Sequence, residues 1–288
     1  MSRRRFMGKS KLYTLTVYTT AGATVVVNGV TQTANSSGYA YFELKKGTYS
    51  YSVSKSGYTS RSGSVTVTSN QILSVVLTSI YPDGLLHLWK LDGNLLDAVG
   101  GVNGTADGSI TYETGKFSKK CAKLVNSANI RVDLNKTLYQ YTVQAWVKCL
   151  SLVDGSAIIF SRTSNVNTYG FYFDMYDSRN AIALMATENN NGQIGWNWGT
   201  YTNWQLYTFT SDGSSIKCYI NGVQQSVKFT YGSAYKYLKF RSNTRIGRDT
   251  YSSSRNINGY IQQVMIWDKA LSQSEIQKYY NNGNGLEI

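Results

Sequence analysis

Residues 257–280 read INGYIQQVMIWDKALSQSEIQKYY, a strand that runs directly into a capped helix. Ile261, Val264 and Ile266 supply the bulk that favours an extended, half-buried chain; Gly259 opens the run and Trp267 ends it before Asp268 and Lys269 turn the backbone. Ser272 followed three positions later by Glu275 has the spacing of a capping box, in which hydroxyl and carboxylate each accept from an amide that the first helical turn leaves unpaired. Ile276 and Tyr280 then recur on one helical face. Such a unit closes a β-sandwich and carries no chemistry of its own.

The same alternation runs upstream. Val143, Ala145 and Val147 alternate with Thr142, Gln144 and Trp146; Phe171 and Phe173 flank Tyr172; Ile216, Cys218 and Ile220 alternate with Lys217 and Tyr219. These are two-faced antiparallel strands. Asp212-Gly213 and Asn221-Gly222 are hairpin dipeptides, because both central positions of a type I′ turn need positive φ. Pro82 is the only proline, so glycine and asparagine interrupt the strands instead.

Residues 84–288 resemble the laminin-G-like, concanavalin A-like jelly rolls through an ordered series of landmarks. Leu86 to Leu91 followed by Asp92-Gly93-Asn94 and Asp97 matches the family's opening strand and turn, and Gly115, Lys116 and Phe117 stand where the family has GKFG. Tyr141 to Lys148 (YTVQAWVK), Ala157 to Arg162 (AIIFSR), Trp204 to Gly222 and Thr244 to Arg248 (TRIGR) follow in the family's order, and the closing stretch is its C-terminal signature. The resemblance implies an all-β jelly roll with a short C-terminal helix. It leaves function open, since this fold hosts lectins, glycosidases, adhesion modules and structural proteins alike.

Residues 12–79 form a different unit. Runs at Leu12–Tyr18, Thr24–Val30, Tyr39–Leu44, Tyr49–Val53, Ser64–Val67 and Ile72–Leu77 have the spacing of a small Ig-like Greek-key sandwich. Gly22-Ala23, VVVNG, the GTYSYSV run and Gly57-Tyr58 resemble the PEGA-type surface module, with Thr-Ala-Gly-Ala at 20–23 in place of its Pro-Glu-Gly-Ala turn. Residues 79–83, containing Pro82, mark the boundary between the two units.

Charge is concentrated at the front. Residues 1–80 hold nine basic side chains against Glu43, a net of +8 that leaves +5 of the total +13 for the rest. Arg3, Arg4, Arg5, Lys9 and Lys11 form a basic arm over residues 1–11, read either as a solvated tail or as an arm that orders on an acidic protein or on packaged nucleic acid. No helix-turn-helix, zinc-finger or RNP pattern accompanies it, so specific nucleic-acid binding is not expected. No apolar stretch follows the arginines as a secretory signal requires, and none reaches transmembrane length. Cys121, Cys149 and Cys218 are expected as reduced, buried thiols.

The chain is read as non-enzymatic. The Glu-x-Asp-x-Glu strand of jelly-roll glycosidases has no counterpart, Asp174 and Asp177 fall on opposite strand faces, and His87 is the single histidine, expected as a packing residue. The family resemblance implies a structural calcium ion with Asp92 and Asp97 as ligands, but Gln262 and Gln263 stand where the final strand usually carries acids, so no other cofactor and only this weakened metal site is expected. Glycan-binding candidates are Trp196 and Trp198, whose spacing points both rings one way, with Tyr201 and Asn203 nearby; Trp89, Trp146, Trp204 and Trp267 read as packing residues. Tyr39 and Tyr41 oppose inward Ala40, Phe42 and Leu44, giving a tyrosine-lined face suited to a protein partner.

The combination resembles bacteriophage virion decoration or fibre proteins. The expected function is therefore a structural or accessory protein of a phage virion, anchored to capsid or fibre components by its arm and Ig-like unit and displaying the jelly roll toward a surface or glycan. The alternative is a carbohydrate-binding adhesion protein of a bacterial cell surface.

Overall fold

The computed structural model describes residues 11–152, 155–161, 170–176, 178, 181–187, 192–197, 199–233, 236–249 and 255–288. The chain divides into two compact units, Met1–Pro82 and Asp83–Ile288.

In the first unit a three-stranded sheet, Tyr39–Leu44, Tyr13–Thr19 and Gln71–Val75, is accompanied by a four-stranded sheet of Val30–Thr33, Thr24–Val27, Gly47–Ser54 and Arg61–Val67. Leu15, Val17, Val25, Val27, Phe42 and Val67 meet in one buried cluster. The run expected as a single strand over Thr24–Val30 is broken by Asn28 (φ 50°) and Gly29 (φ 78°), which make a two-residue hairpin turn between Val27 and Val30. Tyr13–Thr19 pairs antiparallel with one neighbour and parallel with Gln71–Val75, a mixed arrangement that strand spacing alone does not reveal.

The second unit is the jelly roll. One eight-stranded sheet runs Thr111–Thr114, Lys120–Leu124, Asn258–Trp267, Tyr141–Ser151, Gln205–Ser211, Ile216–Ile220 and Val223–Gln224, with Leu85–Trp89 also bonded to Asn258–Trp267. The other runs Thr105–Asp107, Asn129–Val132, Thr244–Ile246, Ser156–Ser161, Gly170–Tyr176, Ala181–Thr187, Gln193–Asn197 and Val227–Tyr231. Val143, Val147, Phe171, Phe173, Phe209, Ile261 and Ile266 share the core cluster. The closing strand thus lies inside its sheet. Gln263, at φ 51°, makes a bulge there: Trp146 pairs with Gln262 and Gln144 with Met265, so Gln263 and Val264 face Ala145 together.

Thr142, Gln144 and Trp146 point away from that core yet are 0%, 0% and 1% exposed. The helix Gln273–Tyr280 covers this face at Trp146, and the segment leading into it covers Thr142. Its capping box forms, with Ser272 N–H donating to Glu275 Oε2 at 2.8 Å and Glu275 N–H donating to Ser272 Oγ at 3.3 Å. Ile276 and Tyr279, rather than Tyr280, are its buried residues; Tyr279 packs on Trp267 at 5.4 Å, and half-buried Tyr280 stacks on Trp146 at 6.1 Å. The three cysteines are buried and unbridged, and burial pushes the thiols of Cys121 and Cys149 up to about 11 and about 12.

Candidate functional site

Register sets Thr142, Thr210 and Lys217 in one row across three strands, and Gln144, Thr208, Tyr219 and Gln224 in the next. They face outward because Val143, Phe209 and Cys218 between them belong to the core. The segment leading into the helix covers the Thr142 end: Thr142 Oγ1 donates to Lys269 O at 2.8 Å and accepts from Leu271 N–H at 2.9 Å. Beyond that cover lies a cavity of about 330 Å³. It is lined by Thr210, Lys217, Tyr219 and Gln224 of the sheet, by Ala270, Leu271, Ser272 and Gln273 at the start of the helix, and by Asp212 and Ser215 of the loop between Gln205–Ser211 and Ile216–Ile220.

The cavity presents fixed acceptors and donors. Asp212 accepts from the Ser214 hydroxyl at 2.7 Å and from the Ser214 and Ser215 amides, each at 2.8 Å. These bonds, the Ser214 hydroxyl foremost, hold its carboxyl below the usual carboxylate range, and the carboxylate keeps lone-pair capacity for a further donor. This loop also differs from the expected type I′ turn: Gly213 has φ 87° but Asp212 is not in the left-handed region, because its side chain holds the turn from Ser211 to Ile216. Asn221 and Gly222, at φ 55° and 76°, do form the two-residue hairpin. Tyr219 OH donates to Gln224 Oε1 at 3.2 Å, leaving the Gln224 amide as a donor, while Lys217 is exposed and Thr210 is only 3% exposed. Asp212 is the only carboxylate among the lining residues, so the cavity can accept from hydroxyls and does not hold the two carboxylates of a glycosidase pair.

The tryptophan platform is not assembled as expected. Trp196 is 1% exposed and packs 6.0 Å from Phe209, because alternation along Gln193–Asn197 turns it into the core opposite Ile182. It is a packing residue. Trp198 lies outside the described residues; the half-buried Tyr201 packs against the same core, and Asn203 is exposed. Asp174 is buried within Gly170–Tyr176 with Ala157 and Ala183 as its register partners, and Asp177 lies outside the described residues.

Asp97 organises a loop. Its Oδ1 accepts from the amides of Leu88 (3.0 Å), Val99 (3.1 Å) and Gly100 (3.0 Å), and its Oδ2 accepts from Val102 N–H at 3.0 Å and His87 Nδ1 at 2.7 Å. Burial works to raise the carboxyl, but the His87 contact and the Leu88, Gly100 and Val99 amides outweigh it and hold Asp97 below the ordinary range. The pairing of Asp97 with Asp92 as metal ligands is corrected accordingly: five internal donors already occupy Asp97, while Asp92 accepts from Asn94 Nδ2 at 3.2 Å. His87 stacks on Trp89 at 5.3 Å, as a packing residue should. Gln262 and Gln263 are likewise internal. Gln262 Oε1 accepts from Lys116 N–H at 2.8 Å and its Nε2 donates to Lys120 O at 2.9 Å, bracing the turn between them; Gln263 Nε2 donates to Leu286 O at 2.8 Å.

In the first unit Ala40, Phe42 and Leu44 are buried while Tyr41 is 55% exposed. Tyr39 lies 5.1 Å from Tyr18 and 6.5 Å from Tyr41, so a third tyrosine extends the outward face. Lys11 is exposed with its ammonium 5.3 Å from the Tyr13 ring; Arg3, Arg4, Arg5 and Lys9 lie outside the described residues.

The cavity residues went unmarked in the sequence, although the alternation of Lys217 and Tyr219 against Ile216, Cys218 and Ile220 placed both on an outer face. Only the register to Thr210 and the path of the helix show that this face is walled.

Residues 123–277 match the Laminin_G_3 family model, described as the concanavalin A-like lectin/glucanases superfamily. No curated protein sequence matches the chain. Among solved structures, domain 4 of AbnA, a GH43 extracellular arabinanase from Geobacillus stearothermophilus, in complex with arabinotriose, is similar over 67% of this chain and 96% of that one, at 22% identity and a TM-score of 0.53. The binding domain of Paraclostridial Mosquitocidal Protein 1 (17% identity, TM-score 0.56, 70% of this chain and 52% of that one) and that of botulinum neurotoxin serotype D (18%, 0.54, 69% and 52%) are similar too. The chain spans about half the length of these two binding domains. At such identities the likeness is one of fold.

Proposed function

The chain belongs to the concanavalin A-like lectin/glucanases superfamily, and we propose that its jelly roll is a non-catalytic glycan-binding domain whose saccharide enters the cavity between Lys217, Tyr219 and the start of the helix. The cavity carries this reading. Small-molecule sites occupy roughly 300–1,000 Å³ and combine apolar wall with a few convergent polar groups. Here a carboxylate, an ammonium and an amide converge on one space, an arrangement suited to adjacent sugar hydroxyls that donate to Asp212 and accept from Lys217 or Gln224. The partly exposed Ala270 offers apolar surface to the sugar's C–H groups, backed by the largely buried Tyr219 and Leu271. The AbnA domain, solved with arabinotriose, supports the reading by analogy of fold.

The test is a neutral-oligosaccharide array, arabinotriose included, probed with the full chain. At least one saccharide should bind, and Lys217→Ala should weaken that binding about tenfold, the loss of one good hydrogen bond, without changing Tm; Gln224→Ala should weaken it similarly while also removing the acceptor of the Tyr219 hydroxyl. A blank array, or variants that bind as the parent does, would overturn the proposal.

For the front unit we infer a PEGA-type, Ig-like attachment module that fixes the protein to a phage virion, on capsid or fibre components. The outward Tyr18, Tyr39 and Tyr41 favour this, since tyrosine gives amphipathic contact at low entropy cost. Deleting residues 1–10 should abolish incorporation into particles while leaving saccharide binding intact. Unchanged incorporation would instead favour the bacterial-surface adhesion reading.

A further inference from the structure

A short two-stranded ribbon on the jelly roll takes no part in the site described above. Thr137–Leu138 pairs with Leu238–Lys239, and Lys136 and Phe240 exchange two backbone hydrogen bonds, at 3.1 and 2.7 Å. Leu138, Leu238 and Phe240 are 5%, 0% and 2% exposed and pin the ribbon to the core, so alternation turns Thr137, Tyr139 and Lys239 outward. Its two sequences, KTLYQY at 136–141 and KYLKFR at 236–241, contain four basic residues and no acidic one. Lys136, Lys236 and Lys239 are exposed, Tyr139 is 71% exposed, and its ring lies 5.7 Å from that of Tyr237.

The ribbon begins where the cavity ends. Ser211 Oγ donates to Lys236 O at 2.8 Å, and a Cβ placed on Gly213, next to Asp212, would lie 3.4 Å from the Tyr139 carbonyl oxygen. We propose that the ribbon extends the saccharide site and that the ligand is an anionic polysaccharide, one sugar lodged in the cavity and the following units laid along Tyr139 and Tyr237 with their acidic groups toward Lys239, which shares that face, and within the field of the exposed Lys136 and Lys236. This rests on the glycan-binding reading and adds the ligand's charge. Tyrosine rings present flat apolar faces to sugar C–H groups, and the three lysines supply a local positive field that a neutral glycan would not use. A nucleic acid fits less well: it would bring a phosphate at every residue past the ionised Asp212, whereas a sugar meets that carboxylate with hydroxyls.

The experiment compares the full chain with Lys136→Glu/Lys236→Glu/Lys239→Glu and with Tyr139→Ala, measuring Kd for polygalacturonate, neutral dextran and arabinan fragments, and a single-stranded DNA matched to the polygalacturonate in charge. The triple variant should lose at least about tenfold in affinity for polygalacturonate, most strongly at low salt, with Tm and neutral-fragment binding unchanged. Tyr139→Ala should weaken the same binding several-fold with the charge intact. Parental affinity in the triple variant, which would place the polyanion on the basic arm, overturns the proposal, as does DNA binding equal to polygalacturonate. Loss of neutral-fragment binding in Lys217→Ala alone reports on the cavity, so the two readings fail separately.

Discussion

Asp97→Asn is expected to lower the unfolding free energy of the jelly roll by about 3 kcal/mol, the scale of breaking a buried, charge-assisted network. The carboxylate accepts from four backbone amides and from His87 Nδ1. An amide in its place turns an NH₂ toward donors that cannot leave, and removes the charge that makes those bonds strong. All six tryptophans lie in residues 83–288, so urea unfolding followed by tryptophan fluorescence reports this unit alone. The pH dependence has a definite sign. Because the folded carboxyl is held below its ordinary value, its contribution is complete above the ordinary carboxylate range and is lost as pH falls through the lowered one. The variant should therefore show a flatter acid limb than the parent. Equal stability at neutral pH, or the same acid limb, would refute this account of Asp97.

Trp267→Ala should cost about 3–5 kcal/mol, the range for emptying a fully buried aromatic site. Trp267 is 0% exposed and packs against Tyr279, so its loss both opens a cavity and loosens the helix. Trp267→Phe should cost far less, about 1 kcal/mol: the indole N–H is buried without a hydrogen-bond partner among the described residues, and phenylalanine discards that desolvated donor while keeping most of the ring. Similar losses for the two variants would show that the N–H matters and that the packing argument is wrong.

The strand–helix unit, the capping box and the Asn221-Gly222 hairpin were legible because each depends on residues a few positions apart. The Gln263 bulge was not, since it arises from pairing with Tyr141–Ser151, more than a hundred residues away. Trp196 shows the same boundary from the other side. Period-two spacing correctly gives alternation, but which of the two faces is the core is decided by partner strands. The site followed this pattern: Lys217 and Tyr219 were readable as outward, whereas Asp212 looked like turn chemistry until Thr210, Leu271 and Gln224 were seen around it. The family's metal positions misled for a related reason. A carboxylate in an aspartate-rich turn can serve an ion or its own backbone, and only the hydrogen-bond partners of Asp97 distinguish the two.

The place of Asn258–Trp267 inside its sheet, bonded to Leu85–Trp89, Lys120–Leu124 and Tyr141–Ser151, also constrains how the molecule is made. The ribosome delivers this segment last among the strands, so the earlier ones wait without their shared neighbour, edges unpaired and apolar faces uncovered. Long loop closures precede the contacts that reward them, which makes such topologies slow to fold and exposed to association with other chains meanwhile. A nascent chain stalled before Gly259 would therefore present sticky half-sheets rather than a smaller stable domain, and its solubility would depend on chaperone capture until the final strand slots in.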